Sequence, residues 1–191
     1  MVYFGLSYGV DVLPGNLYLN NAIGGLIEIV AAVICMIYLD RVGRKWITAG
    51  CMIIGGTALL ASMLINEYAE KDNEWISQLS RWIVFVGKFA VAGSYTVIYI
   101  FAAELYPTEV RSIGISFVSA IGCIGGILTP FIILLQSKAG LSYVPYFIFG
   151  VTSILSGLWT LKLPETAGQP IFQTIAEAEQ FYKRSCRKRK E

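Results

Sequence analysis

Histidine is absent from the 191-residue chain, and Asp, Glu, Lys and Arg together make up only 15% of it. Without an imidazole, the commonest general base and metal ligand are missing. The four cysteines, Cys35, Cys51, Cys123 and Cys186, include no pair at metal-ligand spacing, so no zinc site is expected. Three of them lie inside apolar runs and read as small packing residues, not as an extracellular disulfide framework. No nucleophile–base pair or phosphate-binding loop stands out, which argues against an enzyme; neither metal nor cofactor is implied. Low-complexity tracts are lacking, as are the ten-residue alternating segments of a membrane β-barrel.

What is abundant is apolar side chain, at 55% of the chain. A soluble domain of this size could not bury so much, which points to a membrane protein. Five runs are long enough to cross a hydrocarbon core of roughly 30 Å as helices: Leu17–Leu39, Trp46–Asn66, Leu79–Ala103, Ser112–Gln136 and Tyr143–Leu163. The predicted class is an all-α, multi-pass membrane protein. Residues 1–9 (MVYFGLSYG) are apolar but too short to span. They lack the basic start of a signal peptide and read as the remnant of a preceding helix, so the chain is expected to be a C-terminal piece of something larger. Residues 10–16 would then be an extracellular loop. Beyond Leu163, residues 164–191 form a tail of soluble composition. In it, Thr174 and Glu177 have capping-box spacing, and Ile175, Ala178 and Tyr182 share a face, which suggests a short amphipathic helix before a basic end.

The basic residues orient the chain. Arg41, Arg44 and Lys45 follow the first span, Arg111 follows the third, and Lys162 follows the fifth with Lys183, Arg184, Arg187, Lys188, Arg189 and Lys190. Against these, only Lys71, Arg81 and Lys138 lie on the opposite side. The bias puts the tail in the cytosol.

Ionisable residues inside spans are costly and therefore candidates for function. Glu28 and Lys88 lie 11 and 9 residues from the outer starts of their spans, at similar depth near the midplane. They could form an ion pair that fixes helix packing, or share a polar cavity. Phe85, Lys88, Ala92, Tyr95 and Tyr99 recur at helical spacing on one face, where rings beside a cation suit an organic ligand. Asn21, Gly24, Glu28 and Cys35 are read as one face of the first span, and Ser116, Ser119, Cys123 and Gly126 as one face of the fourth. Gly122, Gly125 and Gly126 could equally be a small-residue packing seam. The second and fifth spans carry almost no polar side chains inside and look like scaffold facing lipid. Candidate substrate residues are thus Glu28, Lys88, Tyr95, Tyr99, Asn21, Ser119 and Cys123.

Two charged motifs lie at span ends, LDRVGRK (Leu39 to Lys45) and AAELYPTEVRS (Ala102 to Ser112), and PETAGQP (Pro164 to Pro170) opens the tail. Gly43 permits a tight turn, and Arg44 can fork onto a carboxylate or onto the last carbonyls of a helix. D-R-x-G-R-K resembles the second copy of the cytosolic loop motif of the major facilitator superfamily. ELYPTEVRS together with PETAGQP resembles the organic ion transporters within it, the carriers of organic cations, carnitine and organic anions. Order and spacing agree over nearly the whole chain. The resemblance implies the C-terminal six-helix half of a twelve-helix carrier, with the seventh helix truncated and the five spans as helices eight to twelve. It implies alternating access around a midplane site, with the tenth helix (Lys88, Tyr95, Tyr99) lining the cavity. It also implies an inner gate in which Arg41, Arg44 and Lys45, following Asp40, pair with Glu104 and Glu165, while Pro107 and Arg111 order the hinge. Cys123 stands where the cation carriers have an acid and many anion carriers a base. Glu28 resembles the cation and carnitine branch, whereas Lys88 resembles the carnitine and anion branches, so a cation or zwitterion is favoured over an anion.

The expected partners are therefore a small organic ion, the lipid bilayer and the N-terminal half of the same carrier, with no nucleic acid; the expected location is the plasma membrane. Two alternatives stay open: a truncated membrane protein that transports nothing and associates with full-length carriers, and a sugar porter, which the wording of the hinge disfavours.

Overall fold

Asn16 opens the first long helix by accepting the Tyr18 amide on its side-chain oxygen at 3.0 Å, an N-cap that satisfies one of the orphan donors of the first turn. In the computed structural model, which describes residues 1–9, 16–68, 74–139, 144–166, 168 and 172–179, six helices follow one another. They are α1 (Val2–Tyr8), α2 (Leu17–Val42), α3 (Arg44–Tyr68), α4 (Glu74–Leu105), α5 (Arg111–Ala139) and α6 (Val144–Thr160). Four of them, α2 to α5, are long and apolar enough to cross a membrane, and α6 is a shorter apolar helix. The protein is a multi-pass membrane protein. Residues 10–15 of the expected outer loop, and 180–191 with the basic end of the tail, lie outside the described residues.

The breaks between helices are short. Only Gly43 separates α2 from α3, at φ 97°, where a side chain would be strained. A Cβ there would also stand 2.8 Å from a Glu165 carboxylate oxygen. Between α4 and α5, the hinge turns on a Val110 amide bonded to the Pro107 carbonyl at 3.1 Å.

Packing centres on α3, which lies against α4 on one side and α6 on the other. Lipid tails are as apolar as leucine, so helices in a bilayer associate through close backbone approach and interhelical hydrogen bonds. Two adjacent glycines of α3 serve the two sides. A Cβ on Gly55 would meet Val91 at 2.6 Å and the Gly87 carbonyl at 3.3 Å, both on α4; one on Gly56 would meet Ile154 at 2.6 Å and the Gly150 carbonyl at 2.8 Å, both on α6. Polar contacts add to each seam. Ser62 and Ser80 share a buried hydrogen bond of 3.0 Å between α3 and α4, and Ser153 of α6 donates to the Met52 carbonyl of α3 at 2.8 Å. The core follows the same line, with Leu59, Val84, Val91 and Phe149 packed beside Val2 and Leu6 of α1.

The small-residue stripe of α5 has two roles along its length. At Gly125 and Gly126 it admits α1, since a Cβ would come within 3.1 Å of Met1 and 3.3 Å of Phe4, whereas Gly122 faces open space. The rest of α5 is little covered: 6% of its most apolar stretch is buried, against 56% for α4. The bundle is thus closed around α3 and α4 and open along α5.

Candidate functional site

Two clusters of polar side chains sit where the helices bring distant residues together. The first lies between α1, α2 and α4. The Lys88 ammonium is 3.1 Å from Glu28 Oε1, and the Tyr3 hydroxyl donates to Glu28 Oε2 at 3.0 Å, so both carboxylate oxygens are occupied. Lys88 is almost wholly buried, its side chain 7% exposed against 28% for Glu28. Gly24 makes the approach possible. A Cβ on it would stand 2.8 Å from Lys88 Nζ, so the lysine crosses α2 over this glycine to reach the acid one turn further on. Tyr3 then stacks on Tyr95 with ring centroids 4.2 Å apart and planes 7° from parallel, and the Tyr95 and Tyr99 hydroxyls share a hydrogen bond of 3.1 Å. The result is a carboxylate–ammonium pair bordered by a wall of phenols. Such a site offers an anion, a cation and aromatic faces to one ligand.

Tyr3 is the member that sequence reading passed over. Residues 1–9 read as a remnant, and nothing in a seven-residue apolar helix signals that one of its rings lies against a span ninety residues away. Asn20 is the second omission. It is 1% exposed, and its side-chain nitrogen has no hydrogen-bond partner among the described residues. Asn21, read as sharing the face of Gly24 and Glu28, is exposed and makes none of these contacts. At about 100° per residue the two asparagines flank Gly24 on opposite sides, and the side of Asn20 is the covered one. On α5, Ser119 is half-buried and Cys123 exposed. Neither reaches the Glu28 pair by a hydrogen bond or ion pair among the described residues.

The second cluster lies at the Gly43 end of α2 and α3. Arg44 is its centre. Nε lies 3.0 Å from Glu104 Oε2 and donates to Oε1 at 3.1 Å, Nη2 is 3.0 Å from Asp40, and Nη1 donates to the Leu39 carbonyl at 3.4 Å. Glu104 also accepts from the Thr166 hydroxyl at 2.7 Å. Glu165 closes the cluster from the strap after α6: its Oε1 accepts the Arg44 amide at 3.0 Å and the Lys45 amide at 3.5 Å. A carboxylate thus meets the first donors of α3, where the helix dipole favours negative charge. Among the described residues, Arg44 is the one of the three bases that joins by its side chain. Lys45 joins through its backbone, its ammonium lying 5.4 Å over the Trp46 ring, and Arg41 is exposed. Pro107 is buried in the hinge; Arg111 keeps Nε and Nη2 buried with no hydrogen-bond partner among the described residues. An open cavity of about 480 Å³ near the start of α4, lined by Trp75, Gln78, Leu79 and Trp82, takes no residue of either cluster.

Comparison with known proteins places the chain in a family. Residues 3–189 match the model of the Major Facilitator Superfamily. The chain is 35% identical to an organic cation transporter-like protein of Drosophila melanogaster over 184 residues, which is 96% of this chain and 31% of the relative. It is 36% identical to a solute carrier family 22 member 15-like protein of Xenopus laevis, over 94% of this chain and 36% of the relative. It is 32% identical to organic cation/carnitine transporter 2 of Rattus norvegicus, over 91% of this chain and 29% of the relative. The chain therefore spans about a third of the length of these relatives. With the helical bundle and a match along almost all of its length, the chain belongs to the major facilitator superfamily, and its relatives are named as organic cation transporters and members of solute carrier family 22.

Proposed function

We propose that this chain forms part of a carrier that moves small organic ions across the plasma membrane by alternating access, with a cation or zwitterion favoured over an anion. The observation that carries the reading is the Glu28–Lys88 pair beside stacked Tyr3 and Tyr95. An ion pair within membrane-spanning helices is costly to maintain, and intramembrane charges of this kind mark substrate pathways. A zwitterion can exchange both partners at once, its cationic group taking the place of Lys88 at Glu28 while its carboxylate meets the freed ammonium. A simple cation can take the carboxylate and rest on the phenol faces.

On this reading, the Arg44–Glu104–Glu165 cluster is the cytosolic gate, closed when these contacts are made and open when they part. The tail lies in the cytosol, as the distribution of basic residues favours. The open faces of α2 and α5 support a further partner, a second bundle of helices supplied by the N-terminal half of the same carrier, with which the midplane site is shared.

Uptake by the full-length carrier tests the proposal, using tetraethylammonium as cation, a trimethylammonium carboxylate as zwitterion and an aryl carboxylate as anion. Glu28→Gln should reduce cation and zwitterion uptake by roughly tenfold or more, the size of one lost charged contact, and Lys88→Met should reduce the zwitterion more than the cation. Unchanged uptake of all three in both variants would reject these side chains as the site.

A further inference from the structure

The strap after α6 carries one motif that transport leaves unused, the Thr174–Glu177 box. Its segment over 172–179 docks on the α4–α5 hinge. The Thr108 amide and hydroxyl both donate to the Phe172 carbonyl, at 3.0 and 3.1 Å, and Phe172 and Ala178 are buried at 8% and 4% exposure. Between these anchors a helical turn over 175–179 is capped at Thr174, whose hydroxyl accepts the Glu177 amide at 3.4 Å. The amides on either side of Thr174 go to carboxylates: Gln173 donates to Glu177 at 3.1 Å, and Ile175 donates to Glu109 of the hinge at 3.4 Å. Thr174 itself is exposed. An accessible hydroxyl is therefore bracketed by two acids, one of them belonging to the surface on which the strap rests. An acid three residues after the hydroxyl is also the pattern that acid-directed serine/threonine kinases read.

We infer that Thr174 is a phosphorylation site for an acid-directed protein kinase and that its phosphate releases the strap from the hinge. The transfer is complete with ATP as donor. The Thr174 oxygen forms a bond to the γ-phosphorus, the bond from that phosphorus to the ADP oxygen breaks, ADP leaves, and the hydroxyl proton passes to the base of the kinase. The product places close to two negative charges beside Glu109 and Glu177, where like charges repel, and the Ile175–Glu109 contact is the one that parts. Because Glu165 and Thr166 lie on the same strap, its release loosens the holds on Arg44 and Glu104 described above. The inference rests on the proposed cytosolic side of the tail, and its test separates the two.

The full-length chain, purified in detergent, is incubated with ATP and an acid-directed kinase, and the phosphate is located by tandem mass spectrometry. Chymotryptic cleavage at Phe172, a ring that is buried while the strap is docked, reports release. Phosphate on Thr174 and roughly tenfold faster cleavage are expected. Thr174→Ser should behave likewise, and Glu109→Gln should lessen the acceleration by removing one of the repelling charges. A Thr174 that stays unphosphorylated, or a phosphorylated chain cleaved no faster than before, overturns the inference. Sidedness plays no part in the detergent experiment. It is tested separately by an antibody to the tail on intact cells, where staining without permeabilisation would overturn the cytosolic placement and leave the detergent result standing.

Discussion

Lys88 and Glu28 are unequal partners, and the inequality decides how each responds to substitution. Lys88 is buried at 7% side-chain exposure, so removing its acid leaves an unpaired ammonium among α2 and α4; Glu28, at 28%, is less enclosed and keeps a donor in Tyr3. Breaking a buried pair from one side costs about 3–5 kcal/mol, whereas replacing both charges together is often near neutral. Glu28→Gln should therefore destabilise the protein by about 3 kcal/mol, Lys88→Met by clearly less, and the double variant by less than Glu28→Gln alone. Thermal unfolding in detergent, monitored by far-UV circular dichroism, compares the three. Equal losses in both single variants, or simple additivity in the double, would contradict a coupled pair. The pair was half legible in the sequence. Depth along two spans is a matter of counting residues at 1.5 Å each, but whether two side chains at one depth touch depends on the rotation and spacing of their helices. Gly24 settles that by letting the lysine lie across α2.

At the scale of elements, α3 is the spine of the bundle, and its two faces are made by neighbouring residues. Gly55 admits α4 and Gly56 admits α6, each with a backbone carbonyl close by. A larger side chain at Gly56 must displace the backbone of α6, so Gly56→Leu should separate the two helices. The expected outcome is loss of a monodisperse species in size-exclusion chromatography in mild detergent; retention of a stable, monodisperse protein would mean that α6 can shift at little cost. Ser62→Ala tests the polar side of the same helix more gently. Interhelical hydrogen bonds in membranes average about 0.6 kcal/mol, so a small fall in melting temperature is expected. Sequence reading took this span, for its near lack of polar side chains, as scaffold facing lipid; instead α3 packs against α4 and α6, and α5 is the helix left open. Ser62 pairs with a serine 18 residues on, and the Met52 carbonyl accepts from a serine 101 residues away; no local pattern discloses such pairings.

For the whole molecule, the Arg44 cluster matters most, since it ties the ends of α2, α3 and α4 to the strap after α6. One guanidinium meets Asp40, Glu104 and the Leu39 carbonyl, an arrangement that depends on its planar fork. Arg44→Ala should open this end, raising the labelling rate of a cysteine placed at Thr166 by a membrane-impermeant thiol reagent applied to inside-out vesicles. Arg44→Lys should rescue only part of the closure, because an ammonium cannot serve the three partners in the same geometry. Full protection in Arg44→Ala would show that the backbone contacts of Glu165 hold the end closed by themselves.

Much of this was written along the chain. Hydropathy decides that these segments are membrane helices, because a bilayer tolerates only backbone that bonds to itself. Glycine, proline and charge decide where those helices stop, and the wording around Arg44, the hinge and Pro164 carries the family. The tertiary structure decided the rest: that Tyr3 caps Glu28, that Asn20 and not Asn21 faces inward, that Arg44 is the one of the three bases whose side chain reaches Glu104 among the described residues, and that the strap sits on the hinge through Phe172. Each depends on how residues far apart in the chain come together. Helical periodicity fixes a side chain's angle about its own axis, but the rotation of one helix against another is set by how small residues let backbones approach, and that is a property of the assembled bundle.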